Sequence, residues 1–198
     1  MARHNVVRKI KNRTTIILVM LLISIMVSWV IWGNLSVETT KLTVTSKDLP
    51  EAFDKFSIAH ISDLHNAEYG KNNEKLIDIL EAESPNIIAI TGDLIDSNHT
   101  NLEVALSFAQ QAVKIAPCYF VTGNHEAWIG SQYEELKTSL QNTGITVLQD
   151  EAIELNYGDV CIQLIGLNDP DFSERDRLLS ESILEAKLSQ VNISDGFT

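Results

Sequence analysis

Cysteine is scarce in this sequence, which has two, Cys118 and Cys161, among 198 residues. A framework of several disulfides is therefore excluded, and at most one bridge can form. Both cysteines fall in predicted strands, and we expect two buried thiols. The alternative is a disulfide in an outside compartment, which requires their Cα atoms to lie close together.

Acidic residues are absent from the first 32 positions, which instead hold five basic ones: Arg3, Arg8, Lys9, Lys11 and Arg13. The rest of the chain has 10 basic and 27 acidic residues, a formal charge of −17. A domain this acidic is repelled by nucleic acid and by anionic lipid headgroups. We therefore expect no nucleic-acid binding.

Residues 14–32 contain no charge of either sign. As a helix, this stretch spans about 28 Å, close to the hydrocarbon thickness of about 30 Å. The positive-inside rule then predicts a single-pass anchor in the cell membrane, with the basic tail (1–13) cytoplasmic and the remainder extracellular. The alternative is a cleaved signal peptide, for which the apolar run is long and no good Ala-x-Ala site follows.

Three polar motifs follow apolar, strand-like runs: Asp63-Leu-His65, Gly92-Asp93 and Gly123-Asn124-His125-Glu126. Asp63 and Asp93 lie thirty residues apart, and Asp93 and Asn124 thirty-one. Each interval has room for one crossover helix, so the pattern indicates a repeated strand–loop–helix unit. The carboxyl ends of parallel strands share one edge of the sheet, where sites in α/β proteins are built.

Carboxylate, amide oxygen and imidazole are suitable ligands for Mn, Fe or Zn ions. A hydrolytic two-metal site holds its divalent ions about 3.5–4 Å apart, and a bridging carboxylate screens their repulsion. Asp93 is the predicted bridge because its strand would lie between the other two. Asp63 and His65 share parity on an extended segment and are predicted to bind the first ion. Asn124 would offer its amide oxygen to the second.

His125 would sit beside the metals and contact a substrate phosphate or protonate a leaving oxygen. Asp96 is predicted to hold His125 in one orientation, as outer carboxylates commonly do. Simpler interpretations stay open: aspartates as turn and cap residues, Asp96 as a loop acid, and Asn124 as a loop residue with positive φ. His60 is interpreted as a packing residue and His99 as a solvated one. Packing is also the favoured interpretation of Trp128 and Tyr133, and the alternative is that they line a substrate entrance.

The ordered motifs resemble the calcineurin-like metallophosphoesterase family, over roughly Phe56 to Gly166. The resemblance implies hydrolysis of phosphomonoesters or phosphodiesters with two divalent metal ions. It implies an α/β fold, a two-sheet sandwich flanked by helices. Position by position, it implies metal ligation by Asp63, His65, Asp93 and Asn124, and catalytic roles for His125 and Asp96. Gly166 to Pro170 also resembles a family loop, but Asp169 receives no role.

No histidine follows His125 in this sequence, whereas the family completes its site with later histidines, including a Gly-His-x-His motif. The resemblance therefore predicts three absent ligands, most simply in a truncated product. The alternatives are a non-catalytic membrane-tethered module that binds metal or phosphate, and an inactive gene fragment.

The predicted organisation is a tail (1–13), an anchor (14–32), a linker with an edge strand (33–55) and a partial phosphoesterase domain (56–198). Apolar periodicity predicts helices at 73–83, 102–113, 133–143 and 177–191. Strands are predicted at 41–46, 56–62, 87–91, 118–122, 146–148, 152–155 and 160–165, the last two joined by a hairpin turn.

The anchor prediction is testable by alkaline carbonate extraction of membranes from expressing cells. We expect the chain to stay in the pellet, and Leu21→Arg with Leu22→Arg to release it, because each central arginine costs about 2.5–3.5 kcal/mol of insertion. A shorter, soluble form of the unchanged protein would instead support the signal peptide.

Overall fold

The computed structural model describes residues 2–172 and 183–192. The N-terminal unit is one helix, α1 (Ala2–Leu35). Within it, Thr15–Gly33 is long and apolar enough to cross a membrane. A membrane anchor and a signal sequence both satisfy that condition.

The second unit begins at Thr39 and is built on a parallel sheet. Its four strands lie in chain order: β1 (Ile58–Ile61), β2 (Ile87–Thr91), β3 (Cys118–Val121) and β4 (Thr146–Val147). The helices between and after these strands are α2 (Glu74–Glu83), α3 (Leu102–Ala112), α4 (Asn124–Trp128), α5 (Gln132–Thr143) and α6 (Ile183–Leu188). The predicted strand–helix alternation is confirmed.

The core lies between the central strands and the helices. Ile87 and Ile88 of β2, which point to opposite faces of the strand, are both buried, as expected for a parallel strand covered on both faces. Helix α3 buries Ala105, Ala109 and Ala112 of its predicted apolar face, together with Phe108, which the prediction left out. Helix α5 buries Leu136 and Leu140, as predicted. Burial of these faces against the sheet holds the carboxyl ends of β1, β2 and β3 side by side.

A second sheet is an antiparallel hairpin of β5 (Glu151–Tyr157) and β6 (Val160–Gly166). Gly158 turns the chain at φ +63°, a conformation that suits glycine. Leu155 of this hairpin shares an apolar cluster with Ile87 of the parallel sheet and with Phe53. The two predicted sheets are therefore present and joined by a common core.

The structure corrects four expectations. Residues 41–46 form no strand, and Leu42 and Val44 are 87% and 88% exposed, because no described strand pairs with them. Cys118 is buried, and burial raises its pKa to about 12, but Cys161 is exposed, and both are free. His60 is exposed, with Nε2 2.6 Å from Thr91 Oγ1. Trp128, which we interpreted as a packing residue, is 56% exposed.

The helix predicted over 177–191 is only partly within the described residues, where α6 represents it. Residues 177–182 of the prediction lie outside them. Tyr133 is buried, as expected for a packing residue, and His99 is exposed, as expected for a solvated one.

Phe120 of β3 tests the core directly because its side chain is fully buried. We expect Phe120→Ala to lower the free energy of unfolding by about 3–5 kcal/mol, through lost burial and the cavity left behind. Denaturant titration of the full chain in detergent measures this. Val44→Ala is the control, since Val44 is 88% exposed and should change little.

Candidate metal centre

The predicted site residues meet at one edge of the parallel sheet. Asp63 and His65 follow β1, Asp93 and Asp96 follow β2, and Asn124 and His125 begin α4 after β3. Ligand atoms of His65, Asp93 and His125 all lie within 4.8 Å of one another. The edge therefore gathers carboxylates and imidazoles from three loops.

Three predicted ligands occupy left-handed backbone: Asp63 at φ 55°, His65 at φ 46° and Asp93 at φ 49°. Non-glycine residues rarely adopt this region, and each instance costs on the order of 1–3 kcal/mol. Such residues cluster at functional sites, where the surrounding structure holds them in place. Asp63 and His65 thus lie in a tight turn and not on the extended segment that we predicted. Asn124 is helical rather than a loop residue with positive φ.

Backbone hydrogen bonds pair the first two loops. The N–H of Asp63 donates to Gly92 O at 3.2 Å, that of His65 to Asp93 O at 2.9 Å, and that of Asn66 to Leu94 O at 3.2 Å. These bonds extend the β1–β2 pairing beyond the strands. They fix the Asp63 turn against the Asp93 turn.

Glu126 holds the second loop to the third. Its carboxylate is fully buried and accepts four backbone N–H bonds. Oε2 accepts from Gly123 at 2.7 Å and Asp93 at 2.8 Å, and Oε1 from Leu94 at 2.9 Å and Ile95 at 3.3 Å. Burial raises the pKa of Glu126, and the N–H donors oppose that shift.

Glu126 lies in the third motif, but we predicted no role for it from the sequence. The signal was present, because glycine followed three residues later by glutamate is the spacing of half a capping box. What the spacing does not show is that the same carboxylate reaches a loop more than thirty residues earlier in the chain.

Gly123 is required by close approach rather than by turn geometry. A Cβ there would lie 2.3 Å from Asp93 Oδ1. Gly92 combines both demands, with φ +89° and a Cβ position 2.4 Å from Gly123 N. The glycines of the second and third motifs thus allow the two loops to touch.

The distances between candidate ligands fit a cation. His65 Nε2 lies 3.7 Å from Asp63 Oδ1 and 3.8 Å from Asp93 Oδ2, too far for hydrogen bonds. An ion with bonds of about 2.1 Å to each atom fits between donors at such separations. The pKa of Asp169 is raised, mainly by burial and further by the negative charges of Asp171 and Asp93. Several carboxylates therefore lie close together at this edge of the sheet.

His125 is held by backbone. Its Nδ1 accepts the Ser97 N–H at 3.0 Å, so a neutral ring carries its proton on Nε2. Its own N–H donates to Asp93 Oδ1 at 2.9 Å. With Nδ1 engaged and Nε2 protonated, neutral His125 is a donor rather than a metal ligand.

Asp96 does not make the predicted hydrogen bond to His125. Its Oδ1 lies 3.7 Å from Nδ1 and instead accepts the Asn98 N–H at 2.8 Å. That bond lowers the pKa of Asp96. Asp96 therefore closes a local turn. The backbone N–H of Ser97 makes the hydrogen bond that orients His125, and the identity of the Ser97 side chain does not predict that bond.

A family model described as "Calcineurin-like phosphoesterase" matches residues 56–194. The "Uncharacterized metallophosphoesterase YkoQ" of Bacillus subtilis (strain 168) is 28% identical over 137 residues, 67% of this chain and 50% of that protein. An "Uncharacterized metallophosphoesterase" of Aquifex aeolicus (strain VF5) is 29% identical over 136 residues, 66% of this chain and 49% of that protein.

The chain spans about half the length of these curated relatives. Among solved structures, "The crystal structure of Phosphopantetheinyl Hydrolase (PptH) from Mycobacterium tuberculosis" matches with a TM-score of 0.43 and 17% identity. That match covers 56% of this chain and 41% of the other.

Glu126→Gln tests the role of the carboxylate. The amide would turn an NH₂ group toward backbone donors, and we expect a loss of about 3 kcal/mol or more of unfolding free energy. Chemical denaturation of the full chain in detergent measures the change. Glu81→Gln, on the exposed face of α2, is the matched control; equal effects from the two variants would contradict the proposed role.

Proposed function

The chain belongs to the calcineurin-like phosphoesterase family, and on that premise we propose that it forms the first part of a metal-dependent phosphoesterase site that hydrolyses phosphomonoesters or phosphodiesters. One observation carries the proposal. Carboxylate oxygens of Asp63 and Asp93 lie near His65 Nε2 at one sheet edge, at distances too long for hydrogen bonds. All three residues have left-handed backbone, which costs conformational free energy.

The residues fit the divalent ions that the family uses. Asp63, His65 and Asp93 would hold one ion, and Asp93 with the Asn124 amide oxygen a second; Mn, Fe and Zn all suit this set. When bound, such ions supply charge stabilisation at phosphate oxygens and a low-pKa water.

His125 would act on the phosphate directly. Ser97 keeps the Nδ1 lone pair occupied, so the proton stays at Nε2. That N–H can donate a hydrogen bond to a phosphoryl oxygen, whereas passing a proton to the leaving oxygen requires the cationic ring, in which Nδ1 is also protonated and the Ser97 bond is broken. Beside that cationic ring, Asp96 Oδ1, which lies 3.7 Å from Nδ1, would supply the counter-charge.

The ligand set within this sequence favours one second candidate, a non-catalytic module that binds a metal or a phosphate group. Asp63 Oδ1 and Asp93 Oδ2 lie 3.7 and 3.8 Å from His65 Nε2, and these three residues are enough for one ion. Titration with Mn²⁺ separates the candidates: one tight site without turnover supports the module.

We also propose that Thr15–Gly33 tethers the site to the cell membrane on its outer face. The five basic residues before this helix and the strongly acidic chain after it support that orientation.

Asp93→Ala tests the phosphoesterase proposal. We expect Mn²⁺ affinity and hydrolysis of bis(4-nitrophenyl) phosphate each to fall by at least about 100-fold, because the bridging carboxylate is lost. EDTA should abolish hydrolysis by the unchanged protein. Calorimetry and a colorimetric assay on the full chain in detergent measure these effects.

The matched control is Asp78→Ala, which removes an exposed carboxylate from α2. It should leave metal affinity and turnover unchanged. Hydrolysis that survives both Asp93→Ala and EDTA would contradict the proposal.

A further inference from the structure

We propose that the exposed face of Trp128 is a stacking platform that selects phosphoesters with a flat aromatic group, an aryl ring or a nucleobase, next to the phosphate. The inference rests on the proposed function because it places the phosphate at His125. It goes further by naming a substrate class and the residue that recognises it.

Trp128 is unusual in being both large and uncovered. It is 56% exposed at the end of α4, on the helix that begins with Asn124 and His125. Its ring centroid lies 4.9 Å from that of His125, with the planes 39° apart. Singly exposed apolar side chains are common, but this one lies against a candidate catalytic histidine, where a bound substrate would meet it.

The indole is held in place rather than free to rotate. Its Nε1–H donates to Asp171 Oδ2 at 2.7 Å. Asp171 belongs to the short turn Pro170–Phe172, where its N–H donates to Asp169 Oδ1 at 2.8 Å. Phe172 packs in turn on buried Tyr133, with ring centroids 4.7 Å apart.

The indole N–H is therefore hydrogen-bonded within the protein, while more than half of the side chain is exposed to solvent. A side chain fixed in this way loses little conformational entropy when a ligand stacks on it. Base–aromatic stacking contributes on the order of 1–3 kcal/mol and tolerates different rings, since every flat ring has a π-face. An alkyl group of similar size lacks that interaction.

The placement sets the distance at which selection acts. His125 would contact the phosphoryl group, and the ring centroid of Trp128 lies 4.9 Å from that of His125. A ring this near to His125 would meet the group bonded directly to the phosphate oxygen. Larger parts of a substrate would extend beyond the platform.

The test uses phosphonates, which are not hydrolysed, so that binding is measured without turnover. Calorimetry of the full chain in detergent with Mn²⁺ compares phenylphosphonate with cyclohexylphosphonate, whose ring is of similar size but has no π-face. We expect phenylphosphonate to bind about tenfold more tightly. Trp128→Leu should abolish the preference, and Trp128→Phe should restore most of it because the π-face returns.

Ile58→Ala is the matched control. Ile58 is 55% exposed on β1, at the strand end opposite the site, and its removal should leave the preference intact. Equal affinity for the two phosphonates, a preference unchanged in Trp128→Leu, or binding of neither would overturn the platform.

The two proposals fail separately. A preference for phenylphosphonate that depends on Trp128, in a protein that hydrolyses no phosphoester, would support the platform and count against the phosphoesterase. Hydrolysis that depends on Asp93, with no aromatic preference, would do the reverse.

Discussion

The candidate site depends on one buried carboxylate. Glu126 accepts N–H bonds from Asp93, Leu94 and Ile95 on one loop and from Gly123 on the next. Without it, four backbone donors inside the protein would have no acceptor, and each would cost about 1–3 kcal/mol. The second and third motifs are therefore parts of one hydrogen-bonded unit, which Gly92 and Gly123 allow to close.

That unit explains how the chain sustains left-handed backbone at Asp63, His65 and Asp93. The Asp93 turn is held by Glu126, and the Asp63–Asn66 turn is held to it by three backbone bonds. Strain at the ligands is thus offset by hydrogen bonds and core burial elsewhere in the domain. The ligand atoms of the candidate site are thus held near one another by the protein itself, which in the proposed function would lower the free-energy cost of binding an ion.

Much of this architecture could be predicted because it follows from periodicity and from strand ends. Helix α3 and strands β1–β3 are confirmed near their predicted bounds, and the motifs meet because parallel strands end together. Residues 41–46 show the limit: alternation predicts a strand, but a strand also needs a partner. The bond from the Ser97 N–H to His125 could not be predicted from the sequence, because any residue except proline supplies the same backbone donor.

The central claim is that Asp63, His65 and Asp93 form a metal site. The most direct measurement is anomalous diffraction from crystals of the protein grown with Mn²⁺. The account predicts a peak within bonding distance of Asp63 Oδ1, His65 Nε2 and Asp93 Oδ2, with His125 Nδ1 still bonded to the Ser97 N–H. A folded domain with no peak at this edge, or a peak bonded to His125 in place of Asp63, would contradict it.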